Sequence, residues 1–193
     1  MKKIFTMAIA VASTAGVQAQ TWTIDNAHSQ VLFTVSHLVI SEVTGNFKSF
    51  SGNITSTKPD FSDASVTFTI DVNSINTDNE MRDTHLKSDD FFNAEKFPKI
   101  TFKGDGLKKI SGNKYQITGQ LTIRDITKTV TFDVTYSGTA QDGYGNTKAG
   151  FKIKGEINRF DYNLKWNALT EAGGITVGET VEFVSNLQLV QGK

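Results

Sequence analysis

The sequence contains no cysteine, which excludes disulfide cross-links, zinc-thiolate sites and a lipid-modified N-terminal cysteine by inventory. Folding must rest on packing. Neither sign of charge dominates, with 20 Lys and Arg against 20 Asp and Glu, so nucleic acid and other polyanions are not expected partners. Long apolar runs are scarce too. The only one, Ile4 to Ala12, is shorter than the roughly 20 residues a membrane helix needs, so the chain is not expected to span a membrane. No low-complexity linker or internal repeat interrupts the chain.

Catalytic signatures are equally sparse. No G-x-S-x-G string occurs, and Ser29 beside His28 lacks the strand-turn-helix setting of a nucleophile elbow. The glycines of Ala172-Gly173-Gly174 precede a strand pattern and not a helix, so they form no phosphate cradle. The three histidines, His28, His37 and His85, have spacings that match no compact metal motif. The residues indicate no enzyme, no metal site and no cofactor.

The chain begins with Lys2 and Lys3, then the apolar run, then small residues to Ala19, the order of a secretory signal peptide. Cleavage is expected after Ala19, giving a leader over 1–19 and one domain over 20–193, located in the periplasm or secreted. Without Lys2 and Lys3 the mature part is slightly acidic.

What the sequence has in quantity is alternation. Val31, Phe33 and Val35 alternate with Thr34 and Ser36; Val66, Phe68, Ile70 and Val72 alternate with Ser65, Thr67, Thr69 and Asp71. The pattern returns at Ile100 and Phe102, at Ile117, Leu121 and Ile123, at Val130 to Tyr136, at Phe151 to Ile157 and at Val181 to Leu189. With a weaker segment around Phe47 to Ile54, this predicts eight strands over 30–39, 45–56, 64–75, 99–105, 114–124, 128–138, 147–158 and 180–190. Short turns such as Ser111-Gly112-Asn113 leave no room for crossover helices, so the strands are expected to form an antiparallel meander. Two prolines and sixteen glycines suit such a chain. A two-sheet sandwich would also hide the apolar faces, but closure into a barrel removes the edges as well and is preferred.

The alternation stops between Asp78 and Ala94, where Met81, Leu86 and the Phe91-Phe92 pair suit a short helix or two over 79–94, capped by Asp78 or Asn79. Its apolar residues need a surface to cover, and the open end of a barrel provides one. The fold class is therefore all-β: an eight-stranded antiparallel, lipocalin-like barrel with a helical insertion.

An eight-stranded barrel either fills its interior with side chains or holds one small ligand. The inward set is rich in phenylalanine (33, 68, 102, 132, 151, 183) and nearly free of charge, so any ligand inside must be largely apolar. Each buried methylene contributes about 0.8 kcal/mol, enough for a few isoprene units to offset the cost of association. The residues alone leave the filled barrel open.

Several strings resemble the YceI-like family of bacterial exported lipid-binding proteins, over essentially the whole mature chain. Near the start stand Trp22-Thr23-Ile24-Asp25-Asn26-Ala27-His28-Ser29, then Phe33, His37, Gly45, Phe47 and Gly52. The central block is Arg82-Asp83-Thr84-His85-Leu86, Asp90-Phe91-Phe92 and Phe97-Pro98-Lys99-Ile100-Thr101-Phe102. Gly119 to Ile123 and Ile157-Asn158-Arg159-Phe160-Asp161-Tyr162 follow in the family's order. Asp125 and Asn163 stand where glycine is common, and both residue types tolerate left-handed backbone. The resemblance implies a lipocalin-like barrel around a polyisoprenoid or similar amphiphile, and roles in lipid or quinone handling, transport and stress tolerance.

The ligand-binding residues expected on these grounds are Phe33, Val35, Phe68, Ile70, Phe92, Phe102, Leu121, Phe132, Phe151 and Phe183, with His37 and Arg82 as polar candidates. His28 and His85 read as ties between helix and barrel rim. The expected partner is the lipid, with transient membrane contact and a homodimer left open. Two other readings stay in view: a filled barrel serving as an envelope scaffold, and a haem or metal barrel using His37.

Overall fold

The computed structural model describes residues 18–168 and 175–192. The expected leader, apart from its last two residues, and the Gly173-Gly174 pair lie outside the described residues.

In chain order the strands are β1 (Gln20–Ile24), β2 (Gln30–His37), β3 (Ser41–Phe47), β4 (Phe50–Ser56), β5 (Ser65–Asp71) and β6 (Ile75–Asn76). After the helix α1 (Glu80–Lys87) come β7 (Lys99–Asp105), β8 (Lys108–Ser111), β9 (Lys114–Ile123), β10 (Ile126–Gln141), β11 (Thr147–Asn158) and β12 (Val177–Gln191). Every pairing is antiparallel. Because β1 and β2 both pair with β12, they act as one stave interrupted by a 3-10 turn at Asn26–His28. Likewise β3 pairs with β2 and β4 with β1, so β3 and β4 form a second interrupted stave. β6 and β8 are short additions on β3 and β9. The ring then has eight staves, and the ladder between β12 and β1–β2 closes it.

Closure gives every stave in the ring a neighbour on both sides, which an open sheet would deny its edge strands. The long staves make the barrel tall: β10, with 16 residues at about 3.4 Å each, spans roughly 50 Å along its length. The outward faces carry ladders of hydroxyls, such as Thr118 with Thr131 at 2.8 Å and Thr122 with Thr127 at 2.8 Å.

Three boundaries differ most from the sequence expectation. The first stave starts at Gln20 and not near residue 30, because the Asp25 turn hides the short alternation around Trp22. The second starts at Ser41 and breaks at Lys48 and Ser49. The expected strand over 64–75 ends at Asp71, where a 3-10 turn over Val72–Ser74 redirects the chain to β6.

The helix is shorter than 79–94. Asn79 caps it by accepting a hydrogen bond from the Arg82 amide at 3.0 Å, while Asp78 sits outside at φ 58°. It stops at Lys87 because a local side chain competes for the backbone: Ser88 Oγ donates to the His85 carbonyl at 2.7 Å. The rest of the segment runs as turns. In the β9–β10 hairpin, Arg124 takes the positive φ (55°) and Asp125 does not; Asn163 is left-handed as expected, at φ 59°.

Candidate ligand-binding cavity

The barrel encloses a cavity of about 250 Å³, lined by apolar side chains except Arg159 and Ser185. The interior is therefore not filled. Phe33, Phe68, Phe151 and Phe183 point inward yet are only half-buried, because they face this space.

Cross-strand glycines explain why so many rings leave a lumen. Phe33 pairs with Gly45, Phe68 with Gly52 and Phe183 with Gly155. A Cβ at Gly45 would stand 2.4 Å from Phe33 Cζ, and one at Gly155 would stand 2.7 Å from Phe183 Cζ and 2.6 Å from Phe132 Cδ1. The rings lie over the bare backbone of the next strand and so lie along the wall. Phe132 and Phe183 then meet edge to face, with ring centroids 4.6 Å apart.

One end of the cavity is shut. The loop between β4 and β5 inserts Phe61, 2% exposed and at φ 57°, between Trp22 (5.3 Å), Tyr136 (5.6 Å) and Phe151 (5.1 Å). Asp63 holds that loop: its carboxylate accepts from Ser56 Oγ at 2.6 Å, from the amides of Thr57 and Lys58, and from the Thr57 hydroxyl. Those donors, the Ser56 hydroxyl foremost, hold its carboxyl well below the usual carboxylate range.

The other end carries the helical segment. Leu86, Phe91 and Phe92 line the cavity there, and Trp166 packs on His85 (5.0 Å) and Phe91 (5.4 Å). Arg124 pins the segment by donating to the carbonyls of Phe91 (2.9 Å) and Asn163 (3.1 Å). Beside this cover the lining reaches the rim of the barrel, since Val177 is the first residue of β12 and Val35 lies two residues before the end of β2, which places the opening at the β2–β3 hairpin. The β12–β2 ladder is irregular there, with a register shift between Val177 and Val181.

Of the twelve sequence candidates, ten line this cavity: Phe33, Val35, Phe68, Ile70, Phe92, Phe102, Leu121, Phe132, Phe151 and Phe183. His37 and Arg82 do not. His37 ends β2, opposite Val177 and Ser41, and is not among the lining residues. Arg82 is spent on the scaffold, donating through Nε to Thr77 Oγ1 (2.7 Å) and through a terminal nitrogen to the Thr77 carbonyl (2.8 Å). His85 fastens the helix, with Nε2 2.8 Å from Asp90. His28 serves a different place, 3.0 Å from Asp25 in the β1–β2 turn, where Asp25 also accepts from Lys148 (2.9 Å) and Gln188 (3.1 Å). Ser29 is occupied by the backbone of Gln188. Among the described residues no group of three or more His, Asp or Glu could hold a metal ion, and no helix is long and apolar enough to cross a membrane.

Sequence reasoning missed two residues that shape the cavity. Phe61 stood alone among the turn residues Pro59, Asp60, Ser62 and Asp63, and that isolation was its only signal. Arg159, 2% exposed, is the one cationic group among the described residues that line the wall. It donates to the carbonyls of Gly178 (2.8 Å), Trp166 (2.8 Å), Val177 (3.0 Å) and Leu164, and lies 4.4 Å from the Phe160 ring centroid. Burial pushes its pKa below the ordinary arginine value. An arginine is usually exposed, and the only signal was its place in the Ile157–Tyr162 string that carries the family resemblance.

The chain matches the model of the YceI-like domain over residues 22–189. A UPF0312 protein of Staphylococcus aureus is 40% identical over 168 residues, 86% of this chain and 95% of the relative. A YceI protein of Campylobacter jejuni superposes with a TM-score of 0.69 at 32% identity, covering 82% of this chain and 90% of that one. A polyisoprenoid binding domain from Saccharophagus degradans, implicated in plant cell wall breakdown, superposes with a TM-score of 0.68 at 17% identity, over 89% and 98% of the two chains. The closed barrel and the family model agree, and the chain belongs to the YceI-like domain family.

Proposed function

We propose that this protein binds a long apolar lipid, a polyisoprenoid, an isoprenoid quinone or a similar amphiphile, inside the barrel, and carries or stores it without chemical change. The observation that carries the reading is the cavity: it is open at one end, shut by Phe61 at the other, and lined by apolar side chains apart from Arg159 and Ser185. Such a wall offers a ligand burial and little else, at about 0.8 kcal/mol per methylene. A linear chain fits a tall, narrow lumen better than a compact solute. The polyisoprenoid-binding relative with the same fold supports the same class of cargo. The leader-like start of the sequence supports a place in the periplasm or outside the cell.

The test is thermal. A ligand that binds only the folded chain raises stability by RT ln(1 + [L]/Kd), about 2.7 kcal/mol at a hundredfold excess over Kd. Delipidated protein heated with a long isoprenoid alcohol should therefore melt several degrees higher. An unchanged melt, with a mass equal to the bare polypeptide, would point to a scaffold role.

A further inference from the structure

The hairpin joining β2 to β3 has the sequence Leu38-Val39-Ile40, and all three side chains are solvent-exposed, at 39%, 75% and 85%. Single exposed apolar residues are ordinary, and Met81, Ile110 and Tyr144 are such cases here. Three in succession on a projecting tip are not. The backbone is also unfavourable for these residues: Leu38 has φ 54° and Val39 φ 63°, in the left-handed region that suits glycine or asparagine and penalises a β-branched side chain. Among the described residues nothing uses the side chains of Val39 and Ile40, so the strained turn serves something outside the barrel.

The tip is built onto the cavity mouth. The Leu38 amide donates to the Thr176 carbonyl at 2.9 Å, next to the lining residue Val177, and Val35 on the same hairpin also lines the cavity. The lining residues Val35 and Val177 thus lie within a few residues of the tip, with Ser36, His37 and Thr176 between. Three side chains are far too little for a stable interface with a second copy, which takes about 800 Å² per partner. A bilayer interface asks for no matching shape, only for apolar groups that reach a few ångströms into it.

We propose that Leu38, Val39 and Ile40 insert into the surface of a lipid bilayer and dock the cavity mouth against it. Docking rests on the lipid-carrier reading for its purpose, since an apolar chain leaving the lumen then meets hydrocarbon without crossing water. Val39 and Ile40 are the anchors, being the more exposed.

The test is co-sedimentation of the mature chain with vesicles of phosphatidylethanolamine and phosphatidylglycerol, against the double variant Val39→Asn, Ile40→Ser. Asparagine accepts the left-handed backbone, so the variant should melt no lower than the parent. Vesicle binding should fall at least tenfold, while the lipid extracted per chain stays unchanged. Equal sedimentation of parent and variant, or no vesicle binding by the parent, would overturn the proposal. So would a parent dimer that the variant turns into a monomer, since the tip would then meet a second copy. A chain that docks through the tip yet yields no lipid on extraction supports the docking and refutes the carrier reading instead.

Discussion

Phe61 meets Phe151 edge on, with ring centroids 5.1 Å apart and planes at 89°. The first ring comes from a loop and the second from the barrel wall, so their contact fixes where the lumen ends. Phe61→Ala should lengthen the lumen and move the extracted lipid toward longer chains. It should also cost about 3 kcal/mol by creating a cavity, read as a lower urea midpoint. An unchanged chain-length profile would mean the far end does not measure the cargo.

Gly155 makes the complementary prediction. A Gly155→Val side chain would collide with Phe132 and Phe183 and turn those rings into the lumen. The polar lining residues Arg159 and Ser185 are untouched, so lipid per chain should drop while stability falls by only about 1–3 kcal/mol. Native mass of the folded variant reads both the occupancy and the loss.

Phe132→Asp places a carboxylate in the lumen, where burial without a partner disfavours its charged form. Lipid retention should be abolished at neutral pH, provided circular dichroism still shows the barrel. Retention at the parent's level would show that this face does not touch the ligand.

Arg159→Met removes the donor that four carbonyls share. At about 1 kcal/mol for each hydrogen bond, the loss should exceed about 3 kcal/mol. Arg159→Lys should recover only part of it, because an ammonium cannot span the same acceptors as a planar guanidinium. Full rescue by lysine would assign the residue a charge role and not a bracing one.

Acid should weaken the barrel in a defined window. The Lys148 ammonium beside Asp25 holds that carboxyl down at about 2, from an ordinary 3.8. Because the folded pKa is the lower one, the stabilisation is complete above about pH 4 and is lost as pH falls toward 2. Asp63 is depressed as well and adds in the same direction. Melts from pH 7 to pH 2 should be flat to about pH 4.5 and then decline, and Lys148→Gln should shallow the decline.

Much of this was legible in the sequence because a strand's period is two. Nine inward residues were placed at the lumen by alternation, and Phe92 by the apolar side of the helical segment. Polar roles were harder to see, since they depend on where loops meet strands. His37 shares the parity of Phe33 and Val35, but it lies at the end of its strand and misses the lining. Arg82 sits on the helix over the barrel, but Thr77 takes its guanidinium first. Whether phenylalanines fill a barrel or line it was also beyond periodicity, because the answer lies in cross-strand register: Phe33 opposite Gly45 and Phe183 opposite Gly155.

The most direct test of the central claim is native mass spectrometry of the purified mature protein before and after organic extraction, with the extract analysed in parallel. The lipid-carrier account predicts one lipid per chain, lost on extraction and recovered as a long apolar species. A native mass equal to the bare polypeptide, unchanged after incubation with isoprenoids, would contradict it.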